Sequence, residues 1–264
     1  MSYLREMIEA VKKANEKVLE IYNSSFNIEY KADKSPVTDA DFASDKIIRD
    51  TLKSAIDVGY LSEEEEDDLA RLNKEAIFIV DPLDGTQDFV NHDSSFGINL
   101  ALVINHEPVL AVIGLPVEKA ICYAEKGKGT HYIDKDGRES ELHVSDRVKD
   151  LIFLASKTHE LEEEKEVYLK HADLIKEVKR YGASTKAVLL AAGKADASIR
   201  FTSYTKEWDV CAPDLVVREA GGIFLDTELK PFVYNRKDVY NHLGYCMFNR
   251  KENERLLEGV RRPF

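Results

Sequence analysis

The stretch Ala76-Ile77-Phe78-Ile79-Val80-Asp81-Pro82-Leu83-Asp84-Gly85-Thr86 decides how this chain is read. Its first five residues are apolar and mostly β-branched or aromatic, the pattern of an interior strand. Asp81 then falls at the strand's end, Pro82 stops the ladder, and Gly85 lets the backbone turn sharply. Two acids held on a rigid turn suit a hard cation, because Mg²⁺ takes carboxylate and carbonyl oxygens. Alone, D-x-x-D-G is equally an ordinary turn. The reading therefore depends on further ligands elsewhere in the chain.

Two segments offer them. Val58-Gly59-Tyr60-Leu61 reads as another strand, followed by Ser62-Glu63-Glu64-Glu65-Glu66-Asp67-Asp68. Most of that acidic run reads as solvated surface, but Glu63 lies where a strand leaves the core. Far downstream, Glu207-Trp208-Asp209 precedes an apolar-periodic helix ending at Gly221-Gly222, with Pro213 placed in its first turn. Asp209 is thus near a helix N-terminus, where a capping role competes with a ligand role. Thr38-Asp39-Ala40-Asp41 has capping-box spacing before an apolar helix spanning 42–53, which explains Thr38 and Asp41 by local chemistry alone.

In chain order, Leu61-Ser62-Glu63-Glu64, Asp81–Thr86 and Trp208-Asp209 with Glu219-Ala220-Gly221-Gly222 resemble the inositol monophosphatase superfamily of metal-dependent, lithium-sensitive phosphatases. Lys31-Ala32-Asp33-Lys34-Ser35-Pro36-Val37-Thr38-Asp39-Ala40-Asp41 is similar to a stretch of the 3'(2'),5'-bisphosphate nucleotidase branch. The resemblance implies an αβαβα five-layer sandwich of the inositol monophosphatase/fructose-1,6-bisphosphatase type. It also implies a ligand set. Glu63, Asp81 and the Leu83 carbonyl would hold one Mg²⁺, Asp81, Asp84 and Asp209 a second, and Glu63 with Asp41 a weaker third. The implied reaction is direct hydrolysis by a metal-activated water, with Thr86, beside Glu63, orienting that water and Gly85 and Thr86 meeting the phosphate. Asp41, in its matching Ser35-Pro36-Val37 context, joins the site. Asp39 stays outside it as a solvated first-turn acid.

Such a cluster has a physical cost that dictates its cofactor. Two like charges about 4 Å apart repel by roughly 4 kcal/mol at an effective dielectric of 20. Divalent cations turn that repulsion into attraction and then bind an anionic phosphate. The net charge of −12 argues against a nucleic-acid polymer as partner, and it does not forbid a small phosphorylated substrate where metal ions reverse the local sign.

Substrate selection is expected in the second half. Ser156-Lys157-Thr158-His159 and Gly182-Ala183-Ser184-Thr185-Lys186, with Arg200, resemble nucleotidase elements. His159, Ser184, Lys186 and Arg200, with Asp209, are the candidate substrate contacts, since a second phosphate needs such donors. Three positions depart from the branch: Gln87 replaces a common lysine, Pro213 a common glycine, and Ser198 a tyrosine near the adenine. Phe201 or Tyr204 could replace that tyrosine.

The length of 264 residues accommodates two closely packed halves, 1–145 carrying most metal ligands and 146–264 carrying Asp209 and the substrate contacts. Leu4, Met7, Ile8, Val11, Val18 and Leu19 recur at helical spacing, so an amphipathic helix opens the chain. Runs at 96–104, 109–114 and 120–123 read as strands, as do 151–155, 196–201, 223–225 and 245–248. Helices are expected over 160–171, 184–193 and 253–260. Three scattered cysteines, no signal-like start and no membrane-length apolar run point to a cytoplasmic protein, monomeric or homodimeric. Three readings compete with the nucleotidase: an inositol- or sugar-phosphate phosphatase on the same scaffold, a haloacid-dehalogenase-type phosphatase, and a non-catalytic phosphate-ligand sensor. The dehalogenase type has one residue between its acids, not two.

Overall fold

Alternation along the central strands sorts the chain into layers. The computed structural model describes residues 2–31, 34–53, 58–67 and 69–263; Ala32, Asp33 and Asp68 of the motifs above lie outside that set. After helix α1 (Ser2–Tyr22), strands β1 (Ile28–Tyr30) and β2 (Pro36–Thr38) form a small antiparallel pair that leads into α2 (Asp39–Thr51). A seven-stranded sheet then follows, built from β3 (Gly59–Ser62), β4 (Ala76–Asp84), β5 (Gly97–Ile104), β6 (Glu107–Leu115), β7 (Ala120–Glu125), β8 (Thr130–Ile133) and β9 (Glu139–Leu142) in that spatial order. The short helix α3 (Thr86–Val90) sits between β4 and β5.

On β4, Phe78 and Val80 face α1 and α2, in one core with Met7, Val11, Val18 and Ile48. Ile77 and Ile79 face the other way, into a core shared with the later helices α5 (Thr185–Ala191) and α6 (Glu207–Glu219). The same core takes in Phe224 and Met247 from a second, five-stranded sheet. That sheet runs β11 (Ile175–Tyr181), β10 (Leu151–Ser156), β12 (Ala197–Arg200), β14 (Tyr245–Phe248), β13 (Ile223–Leu225). Its outer face carries Phe153, Ile199 and Phe248, covered by α4 (Glu162–Lys170) and a 3₁₀ segment at Lys251–Leu257. Helices, sheet, helices, sheet, helix: the expected αβαβα sandwich is the observed one.

Several expectations need correction. Pro82 does not end the strand, because β4 continues to Asp84 through a register shift between Asp81 and Asp84. Pro213 is the seventh residue of α6 rather than part of its first turn, so the helix loses the N–H that would pair with the Asp209 carbonyl. The closing helix is a shorter 3₁₀ segment. Strands β8, β9 and β11 were not anticipated. The last, with Lys176, Glu177, Lys179 and Arg180, is a charged edge strand, and its polarity is what such an edge requires.

Candidate active site

The register shift in β4 builds the site. In a regular strand, residues three apart face opposite sides of the sheet. Asp81 pairs with Asn99 and Asp84 with Gly97, so three steps on β4 match two on β5. The extra residue is a bulge, and it turns Asp84 to the face already taken by Asp81. Leu83 accordingly points the other way, into the core under α1 and α2. Gly85, at φ 90°, then reverses the chain into α3.

That shared face looks toward the start of α6. Carboxylate oxygens of Asp81, Asp84 and Asp209 lie within 4.8 Å of one another. Asp209 serves both roles foreseen for it: Oδ2 accepts the Lys206 N–H at 2.5 Å as a helix cap, and the side chain completes the triad. Asn99, across the ladder, donates from Nδ2 to Asp84 Oδ2 at 3.0 Å and reaches the Trp208 carbonyl at 3.5 Å. Ser184 N–H adds a second tie to Asp84 Oδ2, at 2.7 Å.

Electrostatics mark the cluster as short of positive charge. Burial, then Glu63 and Asp84, push the Asp209 carboxyl up to about 8. Asp81 is pushed well above the usual range by burial, followed by Glu63, Asp84 and Asp209. Asp84 is raised by burial against the opposing pull of Lys186. One buried and two half-buried acids with raised affinity for protons, and no His or Cys among them, fit divalent-cation ligands.

Glu63 follows β3, whose Ser62 pairs in parallel with Val80, and its N–H bonds the Val80 carbonyl at 3.2 Å. It lines the cavity with the triad but is not within its tight grouping. Its Oε1 meets Lys31 Nζ at 3.0 Å, and Lys31 also bonds Glu64 Oε1 at 2.7 Å. Thr86 lines the same cavity as Glu63, and its hydroxyl bonds to other groups. Its hydroxyl lies 3.0 Å from Asp41 Oδ1 and 3.0 Å from the Leu83 carbonyl. Asp41 Oδ2 meanwhile accepts from Thr38 N at 2.8 Å and Thr38 Oγ1 at 2.7 Å, completing the capping box. Asp41 thus caps α2 through one oxygen and meets the cavity-lining Thr86 through the other without lining the cavity itself, and burial raises it to about 6 against those hydrogen bonds. Asp39 is exposed and holds Asn27, away from the cavity.

The candidate substrate contacts converge on the same cavity, of about 260 Å³: His159, Ser184, Lys186 and Arg200 all line it. Lys186 is buried, with Nζ on the Ala183 carbonyl at 3.0 Å, and burial followed by Arg200 lowers it to about 8. Arg200 gives Nη2 to the His159 carbonyl at 2.9 Å and pairs with Glu164 at 3.2 Å. Burial and then Arg200 also lower the His159 imidazole. Of the two aromatics considered for a base, Phe201 is buried in the outer core and cannot serve, whereas Tyr204 is 82% exposed.

Sequence reasoning missed Asn99, Glu164 and Tyr245, and gave Asp88 no role in the site. Asn99 carried a signal, being the one polar residue in the apolar run 97–104. Asp88 accepts from the Thr158 hydroxyl, tying α3 to the segment 156–159, and only the fold reveals that.

The layered fold and buried carboxylate centre define a metal-dependent phosphoric monoester hydrolase. The family model for the inositol monophosphatase family matches residues 2–262, and the chain belongs to that family. It is 29% identical over 248 residues to the 3'(2'),5'-bisphosphate nucleotidase CysQ of Aggregatibacter actinomycetemcomitans, covering 92% of this chain and 91% of that protein. To the CysQ of Escherichia coli strain K12 it is 30% identical over 246 residues, with 92% and 98% covered. Among solved structures, CysQ from Bacteroides thetaiotaomicron, described as a bacterial member of the inositol monophosphatase family, superposes with a TM-score of 0.81 at 30% identity, covering 95% and 98% of the two chains. The suhB protein of Bartonella henselae gives 0.83 at 26% identity, covering 98% and 99%.

Proposed function

We propose that this chain is a Mg²⁺-dependent 3'(2'),5'-bisphosphate nucleotidase that hydrolyses adenosine 3',5'-bisphosphate to AMP and phosphate. One observation carries the reading: the carboxylate triad and the buried cations Lys186 and Arg200 line a single cavity. That arrangement provides for two phosphates, one at the acidic end and one at the basic end.

Asp81, Asp84 and Asp209, with Glu63 and the Leu83 carbonyl, would hold Mg²⁺, and Asp41 with Glu63 would share a weaker third ion. Bound there, the cations supply charge neutralisation of the scissile phosphate and activation of a water. The chain's own groups do the rest. Thr86 Oγ1, its proton held by Asp41 Oδ1, presents a lone pair that orients the attacking water, and it takes that water's proton only as it passes its own to the Asp41 carboxylate. Gly85 and Thr86 offer N–H groups to the phosphate at the start of α3. Ser184, Lys186, Arg200 and His159 hold the distal phosphate.

The three described cysteines are free and buried, and no described helix is long and apolar enough to cross a membrane. Both features suit the reducing cytoplasm. One chain supplies every group named here, so a monomer suffices and a homodimer is compatible.

Phosphate release from adenosine 3',5'-bisphosphate and from inositol 1-phosphate, measured in parallel with Mg²⁺, tests the assignment. A large kcat/KM preference for the bisphosphate is expected. Preference for the inositol ester would move the protein to the sugar-phosphate reading, and no turnover of either would leave a phosphate-ligand sensor.

A further inference from the structure

β12 and β14 pair antiparallel with Arg200 directly opposite Tyr245. Alternation puts Ile199, Phe201, Cys246 and Phe248 on the outer face of the sheet, so Arg200 and Tyr245 share the inner face and both line the cavity. Directly opposed side chains on one face lie about 5 Å apart at Cβ and act as a pair. The charged groups acting on the Tyr245 phenol are Arg200, Asp84, Glu164 and Asp209. It therefore sits between the acidic triad and the basic end.

Its ring is fixed. It stacks on Phe224 with centroids 5.2 Å apart and planes 15° from parallel. Only the hydroxyl proton remains free to swing. Among the described residues that hydroxyl has no hydrogen-bond partner, and on a half-buried side chain lining the cavity it stays open to what enters. A phenylalanine would fill the same packing position. The oxygen is left for something that enters the cavity.

We propose that Tyr245 is a specificity-determining residue whose hydroxyl donates a hydrogen bond to the distal phosphate of a bisphosphate substrate, together with Arg200 and Lys186. The inference rests on the two-phosphate reading given above. Lys186 spends its amino group on the Tyr181 and Ala183 carbonyls, at 3.4 and 3.0 Å, leaving one N–H over. Arg200 spends Nη2 on the His159 carbonyl and pairs Nη1 with Glu164 at 3.2 Å. A dianionic phosphate has more acceptor sites than these two cations saturate, and a neutral donor adds selectivity without adding charge.

Tyr245→Phe removes the hydroxyl and keeps the ring on Phe224. The test compares kcat/KM for adenosine 3',5'-bisphosphate with that for adenosine 3'-monophosphate, which lacks the distal group. The ratio of the two should fall roughly tenfold to a hundredfold in the variant, the loss typical of a hydrogen bond to a charged group. Inhibition by AMP, which retains the distal phosphate, should weaken by a similar factor, while inhibition by inorganic phosphate holds. A wild-type chain with no preference for the bisphosphate sinks the substrate reading and this inference together. Wild-type preference carried unchanged into Tyr245→Phe, with AMP inhibition intact, sinks this inference alone.

Discussion

The hydroxyl of Thr86 lies 3.0 Å from Asp41 Oδ1, joining the first residue of α3 to the third residue of α2 across 45 positions of sequence. The same carboxylate caps α2 through its other oxygen. One side chain thus anchors a helix start and fixes the orientation of the proposed water-positioning group.

Thr86→Val keeps the shape and removes the hydroxyl. Steady-state turnover at saturating Mg²⁺ should drop roughly 100-fold or more, the range for a lost acid–base group, with an unchanged circular dichroism spectrum. Thr86→Ser should recover most of it. A Thr86→Val variant within threefold of wild type would remove Thr86 from the chemistry.

Asp209→Asn should move stability and activity in opposite directions. Without metal, it relieves repulsion in the triad, so its melting temperature in chelator should exceed that of the parent chain. With metal, turnover should fall by about 100-fold or more, past what loss of a supporting contact costs. Asp84→Asn should behave alike. A folded variant with near-normal rate would dismantle the ligand assignment.

The raised carboxyls give the metal-free protein a pH-dependent weakness. Asp41 at about 6 and Asp209 at about 8 stand above their usual value of 3.8. Between about pH 4 and pH 8 the folded chain therefore holds more protons than the unfolded one, and its stability falls as pH rises. The contribution is complete below about pH 4 and gone above about pH 8. The gap in melting temperature between Mg²⁺-saturated and chelated protein should widen from pH 5 to pH 8. A gap constant over that range would count against these acids as the metal site.

Asn99 supports Asp84 from behind. Asn99→Ala should weaken Mg²⁺ binding, read by calorimetry, by roughly tenfold to a hundredfold, the usual cost of losing a partner of a metal ligand. Unchanged affinity would make its hydrogen bonds incidental to the site.

Gly182 shows how tightly the segment before α5 packs against α3 and the turn before β5. A Cβ there would lie 1.9 Å from Asp88 Oδ2 and 2.6 Å from the Ser95 carbonyl. Gly182→Ala should cost roughly 1–3 kcal/mol in urea unfolding, as overpacking does. A shift below half a kcal/mol would show that the junction yields.

The candidate ligands and their order were legible because short motifs carry them: a strand end at Glu63, a turn at Asp81–Thr86, a helix start at Asp209. The layered class followed from apolar runs of strand and helix period. Less visible were the charged edge strand β11, whose composition reads as surface, and the interior position of Pro213. Neither local propensity nor periodicity reports where an edge lies or how far a helix extends upstream.

Sequence alone determined which residues are acids, which are cations and which segments are apolar enough to be buried, since these follow from side-chain chemistry and spacing. Only tertiary structure decided that Asp84 turns to the side of Asp81, because that depends on a one-residue mismatch between β4 and β5. It also decided that Glu63 meets Lys31, that Thr86 meets Asp41, and that Tyr245 faces Arg200. Those pairings depend on strand register and layer packing, which bring together residues that no local pattern relates.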